Sequence, residues 1–262
     1  MPAVLRTVTA TRYVTPLREG GSLPGLVEAD DYGLYVVKFR GAGQGPKALV
    51  AELVAGELAR AAGLPVPEIV FVELDPEMAR SEPDPEIQDL IRASAGTNLG
   101  LDYLPGSIMF DPVAETLDPR LASAIVWLDA YLANVDRTPR NTNMLMWHKR
   151  IYLIDHGAAL YYHHAGSDFP ERSRDPFARI KDHVLLPAAA SLPEMDEELA
   201  ARLTPEVIEE IVEQVPDAWL AEGSSPTGAG EARAAYRRFL LHRLEPPRPF
   251  LEEALRARAL HV

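Results

Sequence analysis

The stretch NVDRTPRNTNML, residues 134 to 145, sets one acid, two arginines and three asparagines between an apolar helix-like run and a strand-like run. Asp136 and Asn141 stand five positions apart within it. An acid and an amide oxygen in one loop suit a hydroxyl proton and a hard cation. They equally suit a helix C-terminus followed by Asx-turns, in which Asn and Asp side chains bond nearby backbone. Downstream, Asp155 ends the apolar run IYLID and is followed by His156 and Gly157. That position fits a metal ligand or catalytic group, or a plain strand-terminating turn. Upstream, Lys38 lies inside the apolar run YVVKF. A cation there is costly unless it is paired or bound to an anion, or unless the strand is an edge and the lysine points to solvent. The next helix carries Glu52 and Glu57, either of which could meet Lys38 or face water.

Taken in order, these residues form a set: a strand lysine, a helix glutamate, an Asp-x4-Asn loop and a strand-end Asp-x-Gly. Phosphoryl transfer asks little covalent work of a protein. It needs a lysine on the nucleotide phosphates, a glutamate to orient it, an Asp beside the attacking hydroxyl, and Asn plus Asp on magnesium. The separation of Asp136 and Asn141 equals that of the aspartate and asparagine in a kinase catalytic loop.

Other motifs carry less. GAGQGPK (41–47) invites a phosphate-loop reading, but Pro46 separates Gly45 from Lys47 and Ala48 follows, so neither G-x-x-x-x-G-K-[ST] nor G-x-G-x-x-G is met. YYHH (161–164) has no further histidine at helical ligand spacing. His183 reads as a packed or substrate-lobe histidine rather than a catalytic base. RAAYRRFLLHRL reads as a basic helix balanced by the chain's own acids.

The elements that must position these residues follow from pattern. Residues 4–15 alternate and are β-branched, as in a strand. Residues 26–39 read as two strands around a tight turn at 30–33. Pro46 suits a helix's first turn, and KALVAELVAGELARAAG reads as an amphipathic helix ending at Gly63. A buried strand is expected at 69–74, a short helix in PEIQDLIRAS, and a strand at 97–104. Helices are expected in PRLASAIVWLDAYLANV and at 176–190, 204–214 and 228–243. Strands segregated from helices imply an α+β fold with two lobes. The expected N-lobe is 1–104, an antiparallel sheet with one helix and a connector strand. The expected C-lobe is 105–262, mainly helical.

Composition limits the partners. With 26 Lys and Arg against 39 Asp and Glu, the formal charge is −13. Such an acid excess disfavours nucleic acid and anionic membrane surfaces as partners. The chain has no cysteine, which excludes disulfides, thiolate metal sites and cysteine nucleophiles. MPAVLRTVTATRYV lacks the long apolar core of a signal peptide, and SAIVWLDAYLANV is broken by Asp129, so a soluble cytoplasmic protein is expected.

YVVKF, GQGPKALVAELVAGELARAAGLPVPE, LDYLPG, NVDRTPRNTNML, YLIDHGAAL and IKDHVLLP together resemble the HipA-like kinases, a compact bacterial branch of the protein-kinase and phosphatidylinositol-kinase fold. The resemblance implies ATP and Mg2+ as cofactors and phosphate transfer to a hydroxyl, of Ser or Thr on a protein. It makes Lys38 the phosphate-contacting lysine, Glu52 rather than Glu57 its partner, Asp136 the catalytic aspartate, and Asn141 and Asp155 the magnesium ligands. Leu101 to Leu104, with Asp102, would hold adenine through the connector backbone. Gly21 and Ser22 of GGSLPG would belong to the loop over the phosphates, where Ser22 is a candidate for autophosphorylation. An antitoxin-like partner is a further implication. The chain departs from the usual pattern at His156, where Asp-Phe-Gly has phenylalanine, and at Asn134, where many kinases have histidine. It is also shorter than the HipA toxin. Rival functions are a small-molecule kinase of the aminoglycoside or inositol type, and a pseudokinase-like nucleotide-binding module.

Overall fold

The strand that carries Lys38 has two unlike faces. In the computed structural model, which describes residues 4–17, 23–166, 168–221 and 228–260, five strands close into a barrel in the order β1-β2-β3-β5-β4. They are β1 (Thr7–Pro16), β2 (Gly25–Ala29), β3 (Leu34–Lys38), β4 (Ile69–Leu74) and β5 (Gly96–Asp102). On β3, Tyr35 and Val37 point into the barrel beside Val27, Val70 and Val72. Leu34, Val36 and Lys38 take the outer face, because side chains alternate along a strand. The barrel end is plugged by Ile87 and Ile91 of a short helix, α2 (Pro85–Ala93).

An antiparallel sheet was the expectation; the barrel contains one parallel pair. Thr7–Thr9 of β1 run parallel to β4, while Ala10–Pro16 pair antiparallel with β2. Register shifts between Ala10 and Arg12 and between Tyr13 and Thr15 bend the ten-residue strand so that it serves both neighbours. Closure leaves no free edge.

α1 (Gly45–Ala61) starts at Pro46 and ends before Gly63, whose φ of +85° suits glycine alone. Its pattern predicts amphipathicity, but every residue from Ala48 to Ala59 is buried. The reason is position: α1 is wedged between β4 and β5 on one side and two later helices, α5 (Pro205–Glu213) and α6 (Asp217–Ala221), on the other. A helix covered all round has no polar face to keep.

The rest of the chain is helical around one hairpin. α3 (Pro119–Tyr131) is capped by Asp118, whose carboxylate accepts from the amides of Arg120 and Leu121. It stops at Tyr131, short of the predicted Val135, and Ala133 turns the chain with a φ of 51°. The two-residue strand β6 (Ile108–Met109) pairs with β7 (Met144–Trp147), which forms a hairpin with β8 (Arg150–Leu153). Leu153 N donates to Pro65 O at 2.8 Å, docking the hairpin beside α1. The helix predicted over 176–190 is instead two 3₁₀ turns, Ala178–Asp182 and Leu186–Ala188. Other bonds claim its backbone: Val184 N donates to Arg137 O in the loop after α3, and Leu185 N to the ring of His183 within the segment. α4 (Leu192–Arg202) and α8 (Pro249–Ala259), which were not predicted, each have a proline in the first turn, and α7 (Ala229–Leu244) lies between them. Trp127 and Tyr131 of α3 stack on each other, and Phe250 of α8 meets Trp127 edge-on and Tyr131 at a tilt. Among the described residues no helix is long and apolar enough to cross a membrane.

Gly56 sets how closely α1 approaches the barrel, since a Cβ there would lie 2.5 Å from Cδ1 of Ile69 on β4. Gly56→Val is expected to destabilise the protein by about 1–3 kcal/mol through overpacking, measured by urea denaturation.

Candidate active site

Lys38 leaves the last position of β3 for the cleft between the barrel and the β7–β8 hairpin. Its ammonium donates to Oε2 of Glu52 at 2.6 Å and to Oδ1 of Asp155. Glu52 is the acid that meets it because it faces β3 from the second turn of α1. Glu57 lies on another side of the helix and pairs with Arg60 at 2.7 Å. Glu52 has no exposed side-chain surface, and Lys38 has 11%. Burial alone would push the Glu52 carboxyl up; the Lys38 ammonium, and after it the neighbouring His156, outweigh burial and hold it well below the ordinary carboxylate range. Burial likewise favours the neutral amine of Lys38, but Glu52 and Asp155 outweigh it and raise the lysine.

Asp155 follows β8 with a φ of 54°, a left-handed conformation that costs a non-glycine residue energy and is found at functional sites. Its side chain is 41% exposed, and among the described residues nothing bonds its Oδ2. The next residue, His156, is fully buried. Its Nδ1 lies 3.6 Å from Oε1 of Glu52, and neither ring nitrogen has a hydrogen-bond partner among the described residues. The position that holds phenylalanine in Asp-Phe-Gly thus holds a polar ring against the lysine's partner.

The loop after α3 supplies the other half. Asn141 Nδ2 donates to Oδ2 of Asp136 at 2.8 Å. Thr138 and Asn141 bridge through their backbones, which brings the two side chains together across a tight turn. Asn143, in the left-handed region that asparagine tolerates, donates from Nδ2 to Asp136 O and Oδ2, both at 3.3 Å. Asp136 N donates to Oδ1 of Asn134 at 3.1 Å. So Asn134 and Asn143 shape the loop, while Asp136 and Asn141 pair with each other within it.

Lys38, Asn141 and Asp155 come from three elements yet line one cleft of about 760 Å3. That volume suits a mononucleotide-sized ligand. Val36, Leu101, Leu104 and Leu145 give it apolar walls, and Asp102 stands at its rim. Burial, then the nearby Glu68 carboxylate, pushes Asp102 up. Gly21 and Ser22 lie outside the described residues. His163 contacts His164 and Tyr236, and no group of three or more metal-binding His, Cys, Asp or Glu side chains exists among the described residues.

One residue of the site region escaped sequence reasoning. Asp129, on α3, accepts from Arg137 and Asn134, and His183, buried as its packed reading expects, bonds the same carboxylate. The available signal was Asp129 itself, an acid interrupting an apolar helix, which must find partners if buried.

A barrel, a buried lysine–glutamate pair and an Asp–Asn loop around one cleft define a mixed α+β protein with a nucleotide-sized site. The sequence model of the HipA-like kinases matches residues 11–247. The chain belongs to the HipA-like kinase family. It shares its fold with the proinflammatory kinase CtkA of Helicobacter pylori, at a TM-score of 0.57 and 13% identity over 98% of this chain and 99% of that one. No curated protein matches it.

Lys38→Met leaves Glu52 buried without its cation, which is expected to cost about 3–5 kcal/mol at neutral pH. In the native protein Glu52 has a depressed pKa, so its contribution is complete above the unfolded carboxylate value, about 4.3, and is lost as pH falls further. In the variant, burial raises that pKa and protonation relieves the site. Urea denaturation should therefore show the gap between variant and wild type narrowing from pH 8 to pH 5.

Proposed function

We propose that the protein is an ATP- and Mg2+-dependent kinase that transfers the γ-phosphate to a hydroxyl, that of Ser or Thr on a protein. One observation carries this: Lys38 with its buried partner Glu52, Asn141 beside Asp136, and Asp155 converge on one cleft from separate elements. Membership of the HipA-like kinases supports the protein acceptor. In this view the barrel with α1 is an N-lobe, residues 1–104, and the helical remainder a C-lobe, 105–262. Adenine would lie against Val36, Leu101 and Leu145. In the connector the amides of Asp102 and Tyr103 already donate to Glu68 O and Leu34 O, whereas that of Leu104 makes no such bond among the described residues and is the donor left for the base.

The donors suit a hard cation. Asn141 spends its Nδ2 on Asp136 and keeps its carbonyl oxygen, and Asp155 keeps Oδ2. One carboxylate and one amide oxygen, with no group of three metal-binding acids or histidines among the described residues, fit magnesium, which retains water and takes its remaining ligands from phosphates. When bound, the ion would neutralise charge on the phosphate oxygens. Lys38 would grip the phosphates, with Glu52 fixing its direction. Asp136 would accept the hydroxyl proton and aim the attacking oxygen, and Asn141 and Asn143 would hold its carboxylate for that task.

Radiolabelled ATP added to cell lysate with the wild-type protein is expected to label a protein on Ser or Thr. Asp136→Asn should lower transfer by about 10²–10⁴-fold while leaving binding of a non-hydrolysable ATP analogue unchanged. Full activity in Asp136→Asn would refute the role given to this residue. Label in small molecules alone would refute the protein acceptor.

A further inference from the structure

A second charged cluster lies beneath the loop, and phosphate contact does not require it. Asp129, Arg137 and His183 have 1%, 0% and 2% of their side chains exposed. Arg137 Nε donates to Oδ2 of Asp129 at 2.5 Å, His183 Nε2 shares that oxygen at 2.9 Å, and Asn134 Nδ2 donates to Oδ1 at 2.9 Å. Leu185 N donates to His183 Nδ1, so the imidazole's proton sits on Nε2 and points at Asp129. The carboxylate is thereby engaged on both oxygens by three donors.

Every donor also leads to the loop. Arg137 Nη1 donates to Asn143 O, and Asn143 in turn bonds Asp136. Asn134 accepts from the amide of Asp136 itself. His183 is tied in by the next residue, whose amide donates to Arg137 O at 3.1 Å. Although Arg137 adjoins Asp136 in sequence, it has no surface from which to reach a ligand.

Stability alone is a poor reason for such a cluster. Buried ion pairs often contribute little net stability against a well-packed apolar replacement. Arg137 Nη2 has no hydrogen-bond partner among the described residues, so the cluster is incompletely satisfied even as built. What it does is connect α3, the loop and the 178–188 segment.

We propose that Asp129, through Arg137, Asn134 and His183, is the positioning residue that holds Asp136, and that the 178–188 segment takes part in setting the loop by way of His183. The inference rests on the role proposed for Asp136. Arg137 is consumed inward, so the loop takes its shape from a carboxylate of the protein itself rather than from a phosphate added to a neighbouring segment.

The test follows hydrolysis of γ-labelled Mg-ATP by the full chain, with water as acceptor, beside affinity for a fluorescent non-hydrolysable ATP analogue. If Asp136→Asn releases as much phosphate as the wild type, the role proposed for Asp136 falls and this inference with it; if the wild type releases none to water, transfer of label to lysate protein is read in its place. If those controls behave, His183→Leu is expected to lose about 10- to 100-fold in turnover with analogue affinity within about twofold. His183→Gln, which can offer an N–H to Asp129, should recover most of the loss. Asp129→Asn strands the charge of Arg137 and is expected to lower stability whatever its role, so His183 carries the test. Should His183→Leu fail to fold, Asn134→Ala is read by the same split between turnover and affinity. Unchanged turnover, a parallel loss of turnover and affinity, or no recovery with Gln would each overturn the positioning role.

Discussion

A carboxylate with no exposed surface sits in the middle of α1, and a buried charge without a partner is among the costliest things a protein can contain. Glu52 is tolerable only because the ammonium of Lys38 lies 2.6 Å away. That requirement reaches far. β3 must turn its outer face toward α1, so the barrel must close with Tyr35 and Val37 inside. α1 must lie close to β4, which Gly56 permits. The β7–β8 hairpin must end where Asp155 can share the same ammonium. Meeting one electrostatic demand brings the barrel, the helix and the hairpin into a single arrangement around the cleft.

The helical part repeats the device. Asp129 is buried in α3 as Glu52 is in α1; burial pushes its carboxyl up, but Arg137 and His183 outweigh burial and hold it far down, as Lys38 and His156 do for Glu52. In each case a helix carries an acid that fixes the direction of a cation. For Glu52 the cation faces the cleft; for Asp129 it faces away and grips the loop. The left-handed conformations at Asn143 and Asp155 lie on the two segments held this way, where surrounding bonds can offset local strain.

Much of this was legible beforehand. Lys38, the Asp136–Asn141 spacing and the strand-end Asp155 are local patterns, and the strands at 26–39, 69–74 and 97–104 follow from alternation and apolar runs. Closure of the barrel was not legible, because the parallel pairing of β1 with β4 depends on bulges that leave no compositional mark. Nor was the burial of α1 on all sides: Glu52 and Glu57 look like a polar face until partners are seen. The 178–188 segment reads as helical by propensity, but a tertiary hydrogen bond to Arg137 and a local one to the His183 ring take precedence.

The sequence by itself determined which residue types lie near one another along the chain, and so the resemblance to the HipA-like kinases, since a lysine, an Asp-x4-Asn loop and an Asp-x-Gly turn each occupy a few consecutive positions. Only the tertiary structure decided which of two helix acids meets Lys38, what Asp129 and His183 hold, and that Arg137 faces inward. These pairings join residues up to 117 positions apart, as Lys38 and Asp155 are. They are selected by the energy of burying charge, which has a value only once the surrounding surfaces have closed.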